Sequence, residues 1–242
     1  MNPIVIIPTY NEKENITAML DKVLSLDVGF DVLVVDDNSP DGTADLVKQK
    51  QTDSPRIHLL ENGEKNGLGT AYIAGFKWCL KRSYDYIFEM DCDFSHNPED
   101  LIRLYNELKD GHCDLVVGSR YVGNVVNVVN WPMGRVLLSY FASAYVRFFT
   151  RMELSDATAG FVGYTNKLLE TINLDNIQFR GYAFQIEMKY TTYRLGFSIK
   201  EIPIIFTDRT AGESKMNGSI IKEALFGVLW LRFKSIRPKV AN

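Results

Sequence analysis

Residues 31–43, DVLVVDDNSPDGT, join an apolar run to two adjacent carboxylates and a turn sequence. The run VLVV is apolar throughout, which is typical of a strand buried on both faces of a parallel sheet. Similar runs along the first half of the chain predict strands at Ile4–Ile7, Val32–Val35, Ile57–Leu60, Tyr86–Met90 and Leu115–Val117. Amphipathic segments between them predict helices at Glu14–Leu24, Thr43–Lys50, Gly69–Lys81 and Pro98–Lys109. This alternation predicts an α/β fold with a mainly parallel sheet flanked by helices.

Length and composition exclude several classes of protein. The chain has 242 residues, of which 46% are hydrophobic and 24% charged, so we expect one globular domain spanning 1–242. A formal net charge of −3 predicts no nucleic-acid partner. Three cysteines without a CxxC pair argue against a disulfide framework and predict a cytoplasmic setting. We expect neither a secretion signal nor a transmembrane helix, because the chain has no basic leader and no run of about 18 apolar residues.

The acids after the second predicted strand are candidates for nucleotide binding. In open α/β sheets, ligands bind at the carboxyl ends of the strands, and Asp36 and Asp37 follow such an end directly. Their carboxylates can accept hydrogen bonds from a ribose hydroxyl or a base N–H. The alternative is a plain turn, in which Asp41 and its neighbours act only through local hydrogen bonds, since NSPDG is strong turn chemistry.

Asp91 and Asp93 close the fourth predicted strand and are candidate metal ligands. Two carboxylates one residue apart at the end of a buried strand repel each other unless a cation lies beside them. Mg²⁺ or Mn²⁺, held by one or two carboxylates and completed by water and diphosphate oxygens, suits this pattern. The alternative is ordinary surface turn chemistry, because a DxD triplet alone is a weak signal.

Three cationic residues are candidates for binding phosphate. Arg120 lies just after the fifth predicted strand, and Arg209 and Lys215 lie much later in the chain. Guanidinium pairs bidentately with phosphate and lysine supplies a point charge, so the three predict a phosphate site. Ordinary salt bridges are the alternative for each. Spaced GxGxxG, GxxxxGK[ST], GxSxG and HExxH patterns are missing, which argues against dinucleotide-binding dehydrogenases, P-loop enzymes and common hydrolases.

Taken in order, the motifs resemble those of the dolichol-phosphate (polyprenyl monophosphate) mannose synthases, inverting family 2 glycosyltransferases with the GT-A fold. The resemblance runs from Ile4 to about Met216, and DR followed by GESK is its most specific part. The motifs are PTYNE at 8–12, DDNSPDGT at 36–43, GLGTAY at 67–72, DCDFSHNPE at 91–99, GSRY at 118–121, NWPMGR at 130–135, SDATAGF at 155–161, GYAFQIEM at 181–188 and TDRTAGESKM at 207–216.

The resemblance implies specific roles for individual residues. It places Pro8, Tyr10 and Glu12 in the nucleotide pocket, with Val35 and Asp37 at the base and ribose. Asp91, Cys92 and Asp93 would hold the metal and the donor diphosphate, with Asp91 and Asp93 as ligands to Mg²⁺ or Mn²⁺. Arg120, Arg209 and Lys215 would handle the donor and acceptor phosphates and, with Asp93, form the catalytic set.

The resemblance also implies a reaction. Mannose would pass from GDP-mannose to a polyprenyl phosphate with inversion, at the cytoplasmic face of the membrane. A related transferase that uses a UDP-sugar, such as a polyprenyl-phosphate glucose synthase, is the alternative. A partner protein that anchors the enzyme to the membrane is left open.

Two apolar segments in the second half of the chain suggest how a lipid is reached. Residues 135–151 and 220–239 are rich in aromatic residues and carry arginine or lysine at their edges. Amphipathic helices of this kind lie in the membrane interface. Burial in the core or in a dimer face is the alternative. We therefore expect a nucleotide-binding half at 1–121 and an acceptor and membrane-interface half at 122–242.

Overall fold

A computed structural model describes residues 1–63, 67–122, 125–181, 183–208 and 218–239, with the backbone alone for 218–225. The strands are β1 Pro3–Thr9, β2 Asp31–Asp36, β3 Ile57–Glu61, β4 Tyr86–Glu89, β5 Leu115–Ser119, β6 Val128–Val129, β7 Val162–Thr165, β8 Ile199–Pro203 and β9 Phe206–Thr207. The helices are α1 Ile16–Leu24, α2 Thr43–Gln51, α3 Leu68–Leu80, α4 Asp100–Lys109, α5 Met133–Thr150, α6 Asn166–Thr171, α7 Ala183–Arg194 and α8 Gly218–Phe233.

The five predicted strands and four predicted helices are confirmed, with shifts at the helix starts. Helix α4 begins at Asp100 instead of Pro98, because the Asn97 side chain accepts a hydrogen bond from the backbone N of Glu99 at 3.1 Å and holds a separate turn. Helix α1 begins at Ile16 instead of Glu14, since the residues before it form a turn on the carbonyl of Glu12.

Seven strands form one sheet in the order β3-β2-β1-β4-β7-β5-β8. Every neighbouring pair is parallel except at β7, which runs antiparallel to β4 and β5. The carboxyl ends of β1, β2, β4 and β5 therefore lie at the same edge of the sheet. The mainly parallel α/β architecture expected from the sequence is confirmed, whereas β7 gave no recognised signal.

Both faces of the sheet are covered by helices. One core cluster packs Val5 and Ile7 of β1 against α1 and α4, and a second packs Ile4 and Ile6 against α3, α6 and α7. Alternate residues of β1 thus enter opposite cores, as its uninterrupted apolar run requires. Each such fully buried side chain contributes about 1.5–3 kcal/mol to folding.

Helices α5, α7 and α8 form a third packed group. Val146 and Val228 lie in one buried cluster with Ile186 and Tyr190 of α7. Away from that cluster, α5 exposes an apolar stripe that includes Phe141 (63% exposed) and Phe148 (76%), and α8 exposes Phe226 (73%) and Phe233 (87%). Interpretation of either helix as wholly core is therefore wrong. Among the described residues, no helix is both long and apolar enough to span a bilayer, as expected.

Candidate active site

The carboxyl ends of β1 and β2 are tied together by hydrogen bonds. Thr9 pairs in register with Asp36 and donates through Oγ1 to Asp36 Oδ2 at 2.7 Å. Ser39 donates to the same carboxylate through its backbone N at 2.8 Å and through Oγ at 2.6 Å. Buried and bound on both oxygens, Asp36 holds the two strand ends. The bonds from Ser39 are local turn contacts of the kind that the turn interpretation predicted, whereas the bond from Thr9 on β1 was not predicted.

Asp37 lies at the next position on this edge. Its backbone N donates to Thr9 O at 3.0 Å, and its Oδ1 accepts from Asn62 Nδ2 at 2.8 Å. Pro8 and Val35 pair across β1 and β2 one step inside the sheet, and the Val35 side chain is fully buried in the core. Roles of Pro8, Val35 and Asp37 at a base and ribose stay predictions.

The loop that holds Tyr10 and Glu12 is fastened to the turn before α2. Glu12 donates through its backbone N to Thr43 Oγ1 at 3.1 Å, and Lys13 does the same to Asp41 Oδ2 at 3.1 Å. Asp41 Oδ1 also accepts from Thr43 N and Oγ1 at 3.0 and 2.6 Å. Burial raises the pKa of Asp41, but the hydrogen bonds from Thr43 and Lys13 outweigh it and hold the pKa below its ordinary value. Asp41 thus holds the turn and the preceding loop together, and the roles of Tyr10 and Glu12 in a nucleotide pocket stay predictions.

Residues Met90 to Asp93 leave the sheet where β4 ends. Met90 N makes a sheet hydrogen bond to Ile6 O at 3.2 Å, and beyond it Asp93 Oδ1 accepts from Ser95 N at 3.0 Å. Cys92 and Asp93 are buried and Asp91 is half-buried. The sheet thus places the two carboxylates at the same edge as Asp37.

The donor set on this segment fits a hard divalent cation. Carboxylate oxygens are the ligands that Mg²⁺ and Mn²⁺ prefer, and two of them leave room for water and phosphate oxygens. In the part of the chain that the structure describes, no group of three His, Cys, Asp or Glu side chains could hold a metal. The role of Asp91 and Asp93 as ligands of such an ion stays a prediction.

Arg120 follows β5 and forms a buried bidentate pair with Asp156. Its Nε and Nη2 each lie 2.6 Å from a carboxylate oxygen of Asp156, and Nη2 also donates to Thr158 Oγ1 at 2.9 Å. Trp131 and Phe206 rings lie 5.4 and 5.6 Å from the guanidinium carbon. Burial raises the pKa of Asp156, but the charge and hydrogen bonds of Arg120 outweigh it and hold the pKa below its ordinary value. The salt-bridge alternative is therefore present, and a phosphate contact by Arg120 stays a prediction.

Arg209 and Lys215 lie outside the described residues, so their predicted phosphate contacts stay predictions. The chain approaches position 209 through β9, whose Phe206 packs edge-on against Trp131 at 5.3 Å between ring centroids. Asp208 accepts from Arg135 Nη1 at 2.9 Å. Arg135, the cation at the start of the apolar segment 135–151, stands in the first turn of α5, next to that helix's exposed apolar stripe.

Three buried polar residues near the Asp91–Asp93 segment had not been identified as site residues from the sequence. Glu89, Gln185 and Lys189 are all buried, and Gln185 Nε2 donates to Glu89 Oε2 at 2.5 Å while Lys189 Nζ donates to Gln185 Oε1 at 3.2 Å. Burial raises the pKa of Glu89 and lowers that of Lys189, and the attraction between the two charges opposes both shifts. Two sequence features could have indicated these residues: an acid, Glu89, at the end of an apolar strand, and the charged and polar residues of QIEMK at 185–189 in a helix.

His96 takes a structural position. Its ring stacks on Phe161 at 4.9 Å and meets Phe206 edge-on at 5.2 Å. Burial lowers its pKa despite the opposing charge of Asp93. An enclosed neutral imidazole is a poor proton acceptor for a bound substrate.

The fold is shared with solved glycosyltransferase structures. Glucosyl-3-phosphoglycerate synthase from Mycobacterium tuberculosis, solved with phosphoglyceric acid, superposes with a TM-score of 0.71 at 18% identity, over 96% of this chain and 80% of that one. Another structure of the same enzyme, in complex with Mn²⁺ and UDP-glucose, gives a TM-score of 0.70 at 19% identity, over 96% and 79%.

Two relatives of known name are similar over almost the whole chain. Undecaprenyl-phosphate mannosyltransferase of Micrococcus luteus is 44% identical over 244 residues, covering 99% of each chain. Polyprenol monophosphomannose synthase of Mycolicibacterium smegmatis is 45% identical over 227 residues, covering 93% of this chain and 84% of that one. The family model described as glycosyl transferase family 2 matches residues 4–172. The chain therefore belongs to glycosyl transferase family 2, among its polyprenyl-phosphate mannose synthases, and is a glycosyltransferase.

Proposed function

We propose that the enzyme transfers mannose from GDP-mannose to a polyprenyl phosphate, with inversion at the anomeric carbon, and releases GDP. The observation that carries this proposal is the 44–45% identity, over nearly the whole chain, to relatives named for mannosylation of undecaprenyl phosphate and polyprenol monophosphate. The sheet edge supports it, because Asp37, Asp91 and Asp93 follow strand ends at one edge of the sheet, which is where α/β sheets bind ligands.

The acceptor phosphate supplies its own nucleophile. A phosphate monoester has a second pKa of about 6, so its oxygens are largely deprotonated at pH 7. One such oxygen forms a bond to the anomeric carbon while the bond from that carbon to the GDP oxygen breaks. No general base is needed, which agrees with the enclosed position of His96. Catalysis then depends on positioning and on stabilising the leaving diphosphate.

Asp91 and Asp93 are proposed to hold Mg²⁺ or Mn²⁺ against the donor diphosphate. The structural neighbours solved with Mn²⁺ or Mg²⁺ support a divalent ion. When bound, the ion would neutralise charge on the diphosphate oxygens as GDP leaves the anomeric carbon. Arg120, Arg209 and Lys215 are proposed to contact phosphate oxygens, with Asp156 fixing the plane of the Arg120 guanidinium.

The lipid acceptor is proposed to reach the site along α5 and α8 at the cytoplasmic face of a membrane. Leu137, Phe141 and Phe148 follow helical spacing on α5, and Phe226, Trp230 and Phe233 do so on α8, all with exposed side chains. Such faces bury themselves in the interfacial region of a bilayer. Arg135 lies at the start of this apolar stripe and pairs with Asp208, directly after β9, a suitable place for a lipid phosphate.

Radiolabel transfer into organic-soluble lipid tests the reaction, with GDP-mannose and UDP-glucose compared at equal concentration and undecaprenyl phosphate as acceptor. We expect label in the lipid phase from GDP-mannose only. Transfer from UDP-glucose alone would establish the UDP-sugar alternative. A thermal-shift titration with GDP and UDP in the presence of Mn²⁺ checks the nucleotide separately, because a ligand at 100 times its Kd stabilises by about 2.7 kcal/mol.

A further inference from the structure

Lys189 of α7 is a fully buried ammonium with hydrogen bonds to two different parts of the molecule. Its Nζ donates to the backbone oxygen of Ala159 at 2.7 Å, and to Gln185 Oε1 and O at 3.2 and 3.3 Å. Burying a charge carries a large desolvation cost unless such partners are in place. Through Gln185, Lys189 is connected to the segment that carries Asp91 and Asp93. Through Ala159, it is connected to the loop that holds Arg120.

Gln185 connects Lys189 to the strand that precedes Asp91 and Asp93. Gln185 Nε2 donates to Glu89 Oε2 at 2.5 Å, and Tyr164 Oη donates to Glu89 Oε1 at 3.1 Å. Glu89 is the last residue of β4 and stands two positions before Asp91. Its side chain anchors the strand at the point where sheet pairing ends and the carboxylate segment begins.

Ala159 connects Lys189 to the loop that holds Arg120. Ala159 belongs to the loop of residues 156–160, in which Asp156 and Thr158 hold the Arg120 guanidinium. Lys189 thus fixes the backbone of this loop one residue beyond Thr158. The Lys189 ammonium therefore connects the Asp91–Asp93 segment, proposed to bind the metal, with the 156–160 loop. That loop orients Arg120, which is proposed to bind phosphate.

Stability gives a reason for a hydrogen-bond donor at this position, but none for a full charge. Replacing a buried charged pair by apolar side chains of similar volume is often neutral or stabilising by 1–4 kcal/mol in general. An apolar residue at 189 would, however, leave the Ala159 oxygen and Gln185 Oε1 without this donor. The gain from the charge is therefore fixed geometry, which two mutually repelling carboxylates need before a cation binds.

We propose that Lys189, acting through Gln185 and Ala159, is a positioning residue that sets the Asp91–Asp93 segment and the Arg120 loop at the spacing required for metal-bound donor diphosphate. This inference rests on the proposed function. Lys189 does not contact the substrate in this proposal. Its effect is expected in the affinity for Mn²⁺ with nucleotide and in kcat.

The experiment measures Mn²⁺ binding by electron paramagnetic resonance, in the presence of GDP and without turnover. Lys189→Met keeps the apolar stem and removes the donors. The matched control is Lys234→Met, which removes the contact of a half-buried lysine to the buried Glu187 of α7, at 2.5 Å and away from the sheet edge. We expect the Mn²⁺ Kd to rise about tenfold in Lys189→Met, the lower end for outer-shell partners of a metal site. In Lys234→Met the Kd should stay within twofold of the parent value.

Two further variants keep the outcome decisive. If Lys189→Met does not fold, the double variant Glu89→Gln with Lys189→Met removes both charges and leaves no unpaired one. It should fold and still bind Mn²⁺ several-fold more weakly, because Ala159 O still lacks its donor. Unchanged Mn²⁺ affinity in a folded Lys189 variant overturns this inference. Asp93→Asn separates the two proposals: if it too leaves Mn²⁺ binding unchanged, the proposed metal site itself is wrong.

Discussion

Arg120 and Asp156 meet through two parallel hydrogen bonds of 2.6 Å in a buried position at the end of β5. Asp156 also accepts from the backbone N of Arg120 at 3.1 Å, so the carboxylate fixes both the side chain and the main chain of the same residue. A cation held in this way has a set orientation before any phosphate arrives.

Asp156→Asn should destabilise the fold by about 3–5 kcal/mol at pH 7, because it leaves the buried guanidinium without its counter-charge. Urea denaturation of the parent and the variant measures this. The pKa of Asp156 is lower in the folded state than its ordinary value of 3.8. The stabilisation by Asp156 is therefore fully present above pH 3.8 and is lost as the pH falls through the folded-state pKa. A difference between the two proteins that stays constant down to pH 2 would contradict this.

Asp93→Ala should reduce kcat by at least about 100-fold at saturating Mn²⁺, in the range seen when one preorganised electrostatic group is removed. Steady-state transfer assays over a Mn²⁺ titration measure the effect. Near-normal turnover in this variant would falsify the assignment of Asp93.

Asp41→Asn is the matched control for that experiment. Asp41 is an acid near the same sheet edge whose carboxylate accepts hydrogen bonds from Thr43 in its own turn and from the backbone N of Lys13. We expect it to lose about 0.5–2 kcal/mol of stability, the range for a capping interaction, and to keep its Mn²⁺ dependence.

Leu137→Glu combined with Phe141→Glu and Phe148→Glu should reduce binding to anionic liposomes at least about tenfold, because each places a charge on the exposed apolar stripe of α5. Flotation with phosphatidylglycerol vesicles measures it. Tyr193→Glu on α7, an exposed aromatic position outside that stripe, is the control and should float like the parent. Equal flotation of all three proteins would show that α5 does not bind the membrane.

Gly69→Ala should destabilise the fold by about 1–3 kcal/mol through overpacking at the start of α3. A Cβ there would lie 2.8 Å from the backbone oxygen of Phe179 and 2.8 Å from the Phe184 side chain. Gly134→Ala in α5 is the control, since a Cβ there has nothing within 4 Å, and it should gain up to about 1 kcal/mol from helix propensity. Thermal or urea unfolding compares them, and equal stability of the two variants would contradict the close packing at Gly69.

Much of the first half of the fold could be predicted because its signals are local. Apolar runs bounded by turns located β1 to β5 within a few residues, and helical spacing located α1 to α4. Strand β7 escaped prediction because its antiparallel position between β4 and β5 depends on where a distant segment returns to the sheet. Its four residues VGYT carry too short a pattern to identify a strand.

Candidate site residues were predicted by type, while their partners were not. Asp36, Asp37 and Asp41 have the same side chain in one short stretch, and nothing in the motif separates structural acids from one available to a ligand. In the structure, Thr9 and Ser39 donate hydrogen bonds to the Asp36 carboxylate. Thr43 and Lys13 donate hydrogen bonds to the Asp41 carboxylate. These contacts join positions up to 28 residues apart, such as Lys13 and Asp41, so only the folded chain reveals them.

The sequence by itself determined the alternation of strands and helices, the family, and the chemical groups at each strand end, since all of these lie in local patterns and ordered motifs. The tertiary structure decided which groups pair with each other: Arg120 with Asp156, Gln185 with both Glu89 and Lys189, and the apolar sides of α5 and α8 with α7. The physical reason is that hydrogen bonding and burial depend on distance in space, and for these residues that distance is set by the sheet order and by helix packing.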